Sequence, residues 1–135
     1  MHFRRISDAQ LIPSRLIEQL PNADVKRFYD FMDIALSSPT QFLWLIINEE
    51  HEICGFLWCE INLLDKTFYI NNLSVSKAFW GNGEMVKVAI NFLRDFIKDA
   101  EIKRVYWVTD RPTLFEKFGF VRSKNILLEY IPEEK

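Results

Sequence analysis

The stretch from Phe68 to Gly119 limits what this chain can fold into more than any other part of it. It reads FYINNLSV, then SKAFWGNGEM, then a long amphipathic run, then VYWVTD and LFEKFGF. A polar strand enters a short glycine loop, the loop opens a helix, and a second strand and a Gly-Phe turn follow. A glycine loop at a helix start turns several backbone N–H groups outward, where the helix dipole favours negative charge. The order points to a phosphorylated ligand held beside a sheet. A lone G-x-G is a common turn, so the weight rests on the strand before it and the helix after it.

The rest of the chain narrows the class. At 135 residues it forms one domain, residues 1–135, and 49% hydrophobic residues supply a real core. A net charge of −2 lacks the basic surplus of non-specific nucleic-acid binding. No apolar run approaches the roughly 20 residues of a membrane span. The start, MHFRRISDAQ, lacks the apolar core of a signal peptide. Cys54 and Cys59 are expected on opposite faces of one strand, where they cannot pair, which fits a reducing, cytoplasmic setting. His2 and His51 are isolated from other ligands, so no metal site is expected. His51 is the one base near Cys54, but it falls on a turn, and both cysteines read as small core hydrophobes.

The periodicity predicts the elements. Residues 2–6 form a short strand. Ser7 or Asp8 caps a helix near Ala9 that Pro13 shortens or breaks. Asn22 is a second cap candidate. Val25, Phe28, Tyr29, Met32 and Leu36 recur at helical spacing, so 23–37 is an amphipathic helix. FLWLIIN (42–48), ICGFLWCEI (53–61) and TFYINNLSV (67–75) form a meander. From Gly83 to Ala100 the period turns helical, with Met85, Ala89, Phe92 and Phe96 in one stripe. VYWVT (105–109) is a strand, 113–117 a helical turn stopped by Gly119, and ILLEYI (126–131) a closing strand.

This order, with L-S-V at 73–75, W-G-N-G-E-M at 80–85 and F-E-K-F-G-F at 115–120, resembles the GNAT superfamily of N-acetyltransferases over nearly the whole chain. The resemblance implies an α/β fold: a mostly antiparallel sheet of six or seven strands, helices on both faces, and strands four and five splayed apart. It implies acetyl-CoA as the acyl donor, entering that gap. The backbone of Leu73, Ser74 and Val75 then pairs with the pantetheine amides. The loop of Trp80, Gly81, Asn82, Gly83, Glu84 and Met85 holds the pyrophosphate. Asp110 stands near the place of a family asparagine, and Phe115 stands where the family carries a tyrosine that protonates the leaving thiolate.

Several positions depart from the family pattern. Trp80 replaces a residue that supplies positive charge or hydrogen bonds. Glu84 adds a carboxylate to the phosphate loop. Phe115 has no hydroxyl, and Asn71 and Asn72, near the place of a family glutamate, cannot take a proton at neutral pH. Glu60, in WCEIN at the end of an apolar strand, is the candidate base. Its bland reading is a solvent-facing edge residue. The expected function is acetyl transfer to an amine, small molecule or protein, with the acceptor open. The alternatives are a catalytically weakened GNAT-fold binding or regulatory protein, and a homodimer formed through an exposed strand edge.

Overall fold

The computed structural model describes residues 1–79, 83–109 and 111–132. The described residues form one mixed sheet in the order β1 (His2–Arg5), β2 (Gln41–Ile47), β3 (Ile53–Asn62), β4 (Thr67–Val75) and β5 (Arg104–Trp107). The first four strands pair antiparallel. β5 pairs parallel to β4, which requires a crossover, and α3 (Glu84–Lys98) supplies it. Helices α1 (Ser14–Ile17) and α2 (Val25–Ala35) cover the opposite face, and α4 (Pro112–Glu116) follows β5.

Each helix starts where its local chemistry allows. The Asp8 carboxylate accepts from the Gln10 N–H at 2.9 Å and opens a 3-10 turn over Ala9–Leu11. Pro13 then separates that turn from α1. Asp24, not Asn22, caps α2 by accepting from the Arg27 N–H at 3.0 Å. Asn22 instead takes a positive φ of 55° in the preceding turn, a conformation asparagine tolerates well.

Two cores sandwich the sheet. Leu43, Leu45, Ile47 and Phe56 meet Ile12, Leu16, Ile17 and Met32 on the α1/α2 face. Trp44, Leu57, Cys59, Phe68 and Ile70 meet Leu93 of α3 on the other. Phe3 also stacks on Phe92 there, and Phe42 and Trp44 meet Phe96 and Phe92 edge-on.

Two bulges break the strand alternation. The register of β2 and β3 slips between Ile46 and Ile47, leaving Cys54 without a partner. Cys54 therefore packs with Ile46, Val75 and Met85 on the α3 face, the same side as Cys59. The expectation of opposite faces is overturned, because a bulge shifts the period-2 pattern by one. Both thiols are free and buried, and burial pushes both up from the usual thiol range. The second slip lies in β4, where Trp58 faces Asn72 but Cys59 faces Ile70, so Asn71 is the extra residue.

The sheet has five strands among the described residues, not six or seven. Residues 126–131 are not a strand but an irregular segment, with Leu128 88% exposed and Tyr130 86% exposed. Their alternating apolar pattern gives β propensity, but a strand exists only when a neighbour completes its hydrogen bonds. Among the described residues, no helix is long and apolar enough to cross a membrane, and no group of acidic, cysteine or histidine side chains has metal-site geometry.

Candidate active site

The site begins where β4 and β5 part. Their ladder runs from Thr67↔Arg104 to Ile70↔Trp107 and stops. β4 continues to Val75, while β5 ends and the chain turns toward α4. The bulge at Asn71 lies on the next residue of β4. A bulge sharpens local twist and re-aims backbone groups, so the strand swings away at that point. Among the described residues no rung joins β5 to Asn71–Ser74, and this unladdered end of the β4–β5 pair forms a wedge in the sheet.

That edge carries the predicted Leu73, Ser74 and Val75. The Ser76 N–H bonds back to the Cys54 carbonyl of β3 at 2.8 Å, so by alternation the backbone groups of Leu73 point away from β3. The Val75 carbonyl accepts from the Gln19 side-chain amide at 2.9 Å. Ser74 is buried, and its hydroxyl donates to the Leu16 carbonyl at 2.8 Å while accepting from Gln19. The Ser74 side chain therefore ties α1 to β4 instead of facing a ligand. Gln19 was not singled out in the sequence, because its partners are more than fifty positions away.

At the start of α3, Gly83 has φ +80°, the left-handed conformation that glycine adopts without strain. A Cβ there would come 3.2 Å from the Phe118 ring, so a side chain at this position would crowd Phe118. Glu84 is exposed and Met85 is buried in the core beside Cys54. Trp80, Gly81, Asn82 and Asp110 lie outside the described residues. Two hollows flank this helix. One of about 220 Å³ is lined by Lys87, Arg94, Lys117 and Phe118, three of them cations. The other, about 610 Å³, runs along α3 and β5 past Ile90, Leu93, Ile97 and Val105. Lys87 lies one turn into α3, and Arg94 and Lys117 line the same hollow further along that helix.

Phe115 is buried, its ring centroid 4.0 Å from that of Trp107, the last rung of β5. It closes the core at the point where the strands part. Glu60 lies across from Tyr69 on β3, one rung before the ladder ends, and is half-buried. Its Oε2 accepts from the Gln41 amide at 2.8 Å, and the Gln41 oxygen accepts from the Trp58 indole N–H at 2.7 Å. The chain Trp58–Gln41–Glu60 fixes the carboxylate on the α1/α2 face, opposite α3.

The chain belongs to the acetyltransferase (GNAT) family, whose model matches residues 6–120, and the family's acyl donor is acetyl-CoA. No curated protein matches the chain by sequence. Among solved structures it is similar to an aminoglycoside 6'-N-acetyltransferase from Acinetobacter haemolyticus, with TM-score 0.77 and 13% identity over 99% of this chain and 100% of that one. It is similar to a predicted acetyltransferase with acetyl-CoA from Clostridium acetobutylicum, with TM-score 0.72 and 17% identity over 96% and 95%. It is also similar to glucosamine-6-phosphate N-acetyltransferase from Arabidopsis thaliana, with TM-score 0.68 and 19% identity over 97% and 98%. At these identities the likeness is one of fold.

Proposed function

We propose that the chain transfers the acetyl group of acetyl-CoA to an amine at the wedge between β4 and β5. The observation that carries this reading is the coincidence of the Asn71 bulge with the last rung of the β4–β5 ladder. It leaves a strand edge for the pantetheine amides and frees backbone at the place where a thioester carbonyl would sit. The N–H groups around Gly83 and the cations Lys87, Arg94 and Lys117 suit the phosphates.

In the reaction the amine nitrogen, once deprotonated, attacks the thioester carbon. The C–N bond forms, the C–S bond breaks, and the second nitrogen proton passes through water to the departing thiolate. Backbone N–H groups at the bulge polarise the carbonyl, and Glu60, through a water, receives the amine proton. Calorimetric titration with acetyl-CoA followed by an amine screen tests the reading. Binding without turnover of any amine favours the binding-module alternative, which the hydrocarbon ring of Phe115 supports. Absence of binding removes both.

Two further outcomes follow. Glu84 is exposed, so Glu84→Gln is expected to change coenzyme A affinity less than about threefold, or roughly 0.7 kcal/mol. A larger gain by calorimetry means that the carboxylate faces the phosphates. Phe115→Tyr sets a hydroxyl near the end of β5 and is expected to raise turnover at saturating substrate. The gain should stay below the roughly 10²–10⁴-fold of a full general acid, since a thiolate leaves readily. The buried hydroxyl is expected to lower Tm, because an unpaired buried donor costs about 1–3 kcal/mol. An unchanged steady-state rate assigns the thiolate proton to solvent alone.

A further inference from the structure

The α1/α2 face beside the wedge carries rings around one carboxylate. Trp58 and Glu60 project from β3 on this face, and Tyr69 stands across from Glu60 on β4. Tyr106 of β5 stacks on Tyr69 with ring centroids 5.3 Å apart. Phe31 of α2 meets Trp58 edge-on at 5.7 Å and is itself 52% exposed. Trp58, Glu60, Tyr69 and Tyr106 are each half-buried. The strip is pre-organised, because Gln41 bonds both Trp58 and Glu60. Among the described residues, the second Glu60 oxygen has no hydrogen-bond partner, so it remains available to a ligand.

The charges on this face are few. On the strip's own strands Glu60 is the one acid, and Arg104 donates to the Tyr106 hydroxyl at 3.3 Å. On α2, the position one turn before Phe31 is Arg27, so a second cation borders the same edge. Asp30 on that helix is held by Lys26 at 3.0 Å, and Asp33, two positions past Phe31, projects from another side of the helix. A polycationic amine needs several carboxylates or carbonyls and would meet Arg104 and Arg27 here. A single ammonium on an apolar body meets one carboxylate and ring faces, the pairing that cation–π attraction and aromatic packing reward.

We propose that the acceptor is a primary amine with one positive charge and an apolar, ring-bearing body, bound by Glu60 and the rings of Phe31, Trp58, Tyr69 and Tyr106. This rests on the acetyl-transfer reading for its chemistry but not for its binding test. The protein is saturated with coenzyme A and titrated calorimetrically with 2-phenylethylamine, spermidine and kanamycin. The expected result is binding of 2-phenylethylamine at least about tenfold tighter than either polycation. Phe31→Ala and Tyr69→Leu should each weaken it about five- to tenfold, with coenzyme A affinity unchanged and the far-ultraviolet circular dichroism retained. Phe31→Tyr, which keeps the ring, should bind nearly as the parent does. Equal or tighter binding of spermidine or kanamycin overturns the proposal, and so does 2-phenylethylamine binding that ignores both ring deletions or is absent. Turnover of the same amines is read separately, so selective binding without acetylation counts against the acetyl-transfer reading and leaves the amine-binding site of Glu60 and the rings standing.

Discussion

Gly83→Val is expected to weaken acetyl-CoA binding at least about a hundredfold, which is about 2.7 kcal/mol or more. Two effects combine at this position. The φ of +80° lies in the left-handed region, which a β-branched residue reaches only with strain. The new Cβ would also stand 3.2 Å from Phe118 before any γ-methyl is counted. Relief requires the backbone to rotate, and rotation turns away the N–H groups that open α3. Hydrogen bonds to a charged group contribute about 1.5–3 kcal/mol each, so losing two accounts for the predicted size. Calorimetry on a variant with retained circular dichroism checks it. Normal affinity in a folded Gly83→Val protein would move the phosphate site away from α3.

The fold was legible where period and punctuation agree. The meander, α2 and α3 came out within a few residues, because their apolar repeats are long and the meander and α3 are bounded by polar turns and Gly83, although the α2 cap is Asp24 and not the expected Asn22. What escaped depends on neighbours that the sequence does not put side by side. The bulge at Cys54 reverses one cysteine's face, and no local residue pattern marks it. The bulge at Asn71 looks in sequence like two more polar residues of a strand. ILLEYI has strand composition, yet as an exposed segment it has no ladder to join. The same logic applies to the site. The glycine loop and Glu60 are visible as motif and oddity. The Trp58–Gln41–Glu60 chain and the Gln19 bond to Val75 join residues 17 to 56 positions apart, so only the folded sheet reveals them.

Glu60→Gln is the more decisive test of chemistry. It keeps the length and planarity of the side chain and removes the site that takes a proton. Gln41 can rotate its own amide to keep a hydrogen bond, but it then turns a donor toward the Trp58 indole N–H, which loses its acceptor. The Gln variant can instead present its own carbonyl oxygen to the Gln41 N–H and leave the Trp58 bond intact. The fold is therefore expected to survive, with a small change in Tm. Coenzyme A affinity should hardly move, since Glu60 lies on the face opposite α3 and its cations. Turnover at neutral pH should fall about 10²–10⁴-fold, the usual contribution of a positioned base. The deficit should shrink as pH rises, because more of the amine then arrives without its proton and needs no acceptor for it. Steady-state rates across pH, paired with calorimetry for acetyl-CoA, separate the cases. A turnover unchanged at every pH makes Glu60 a structural member of the Trp58–Gln41 chain, and the amine then loses its proton directly to solvent in the wedge.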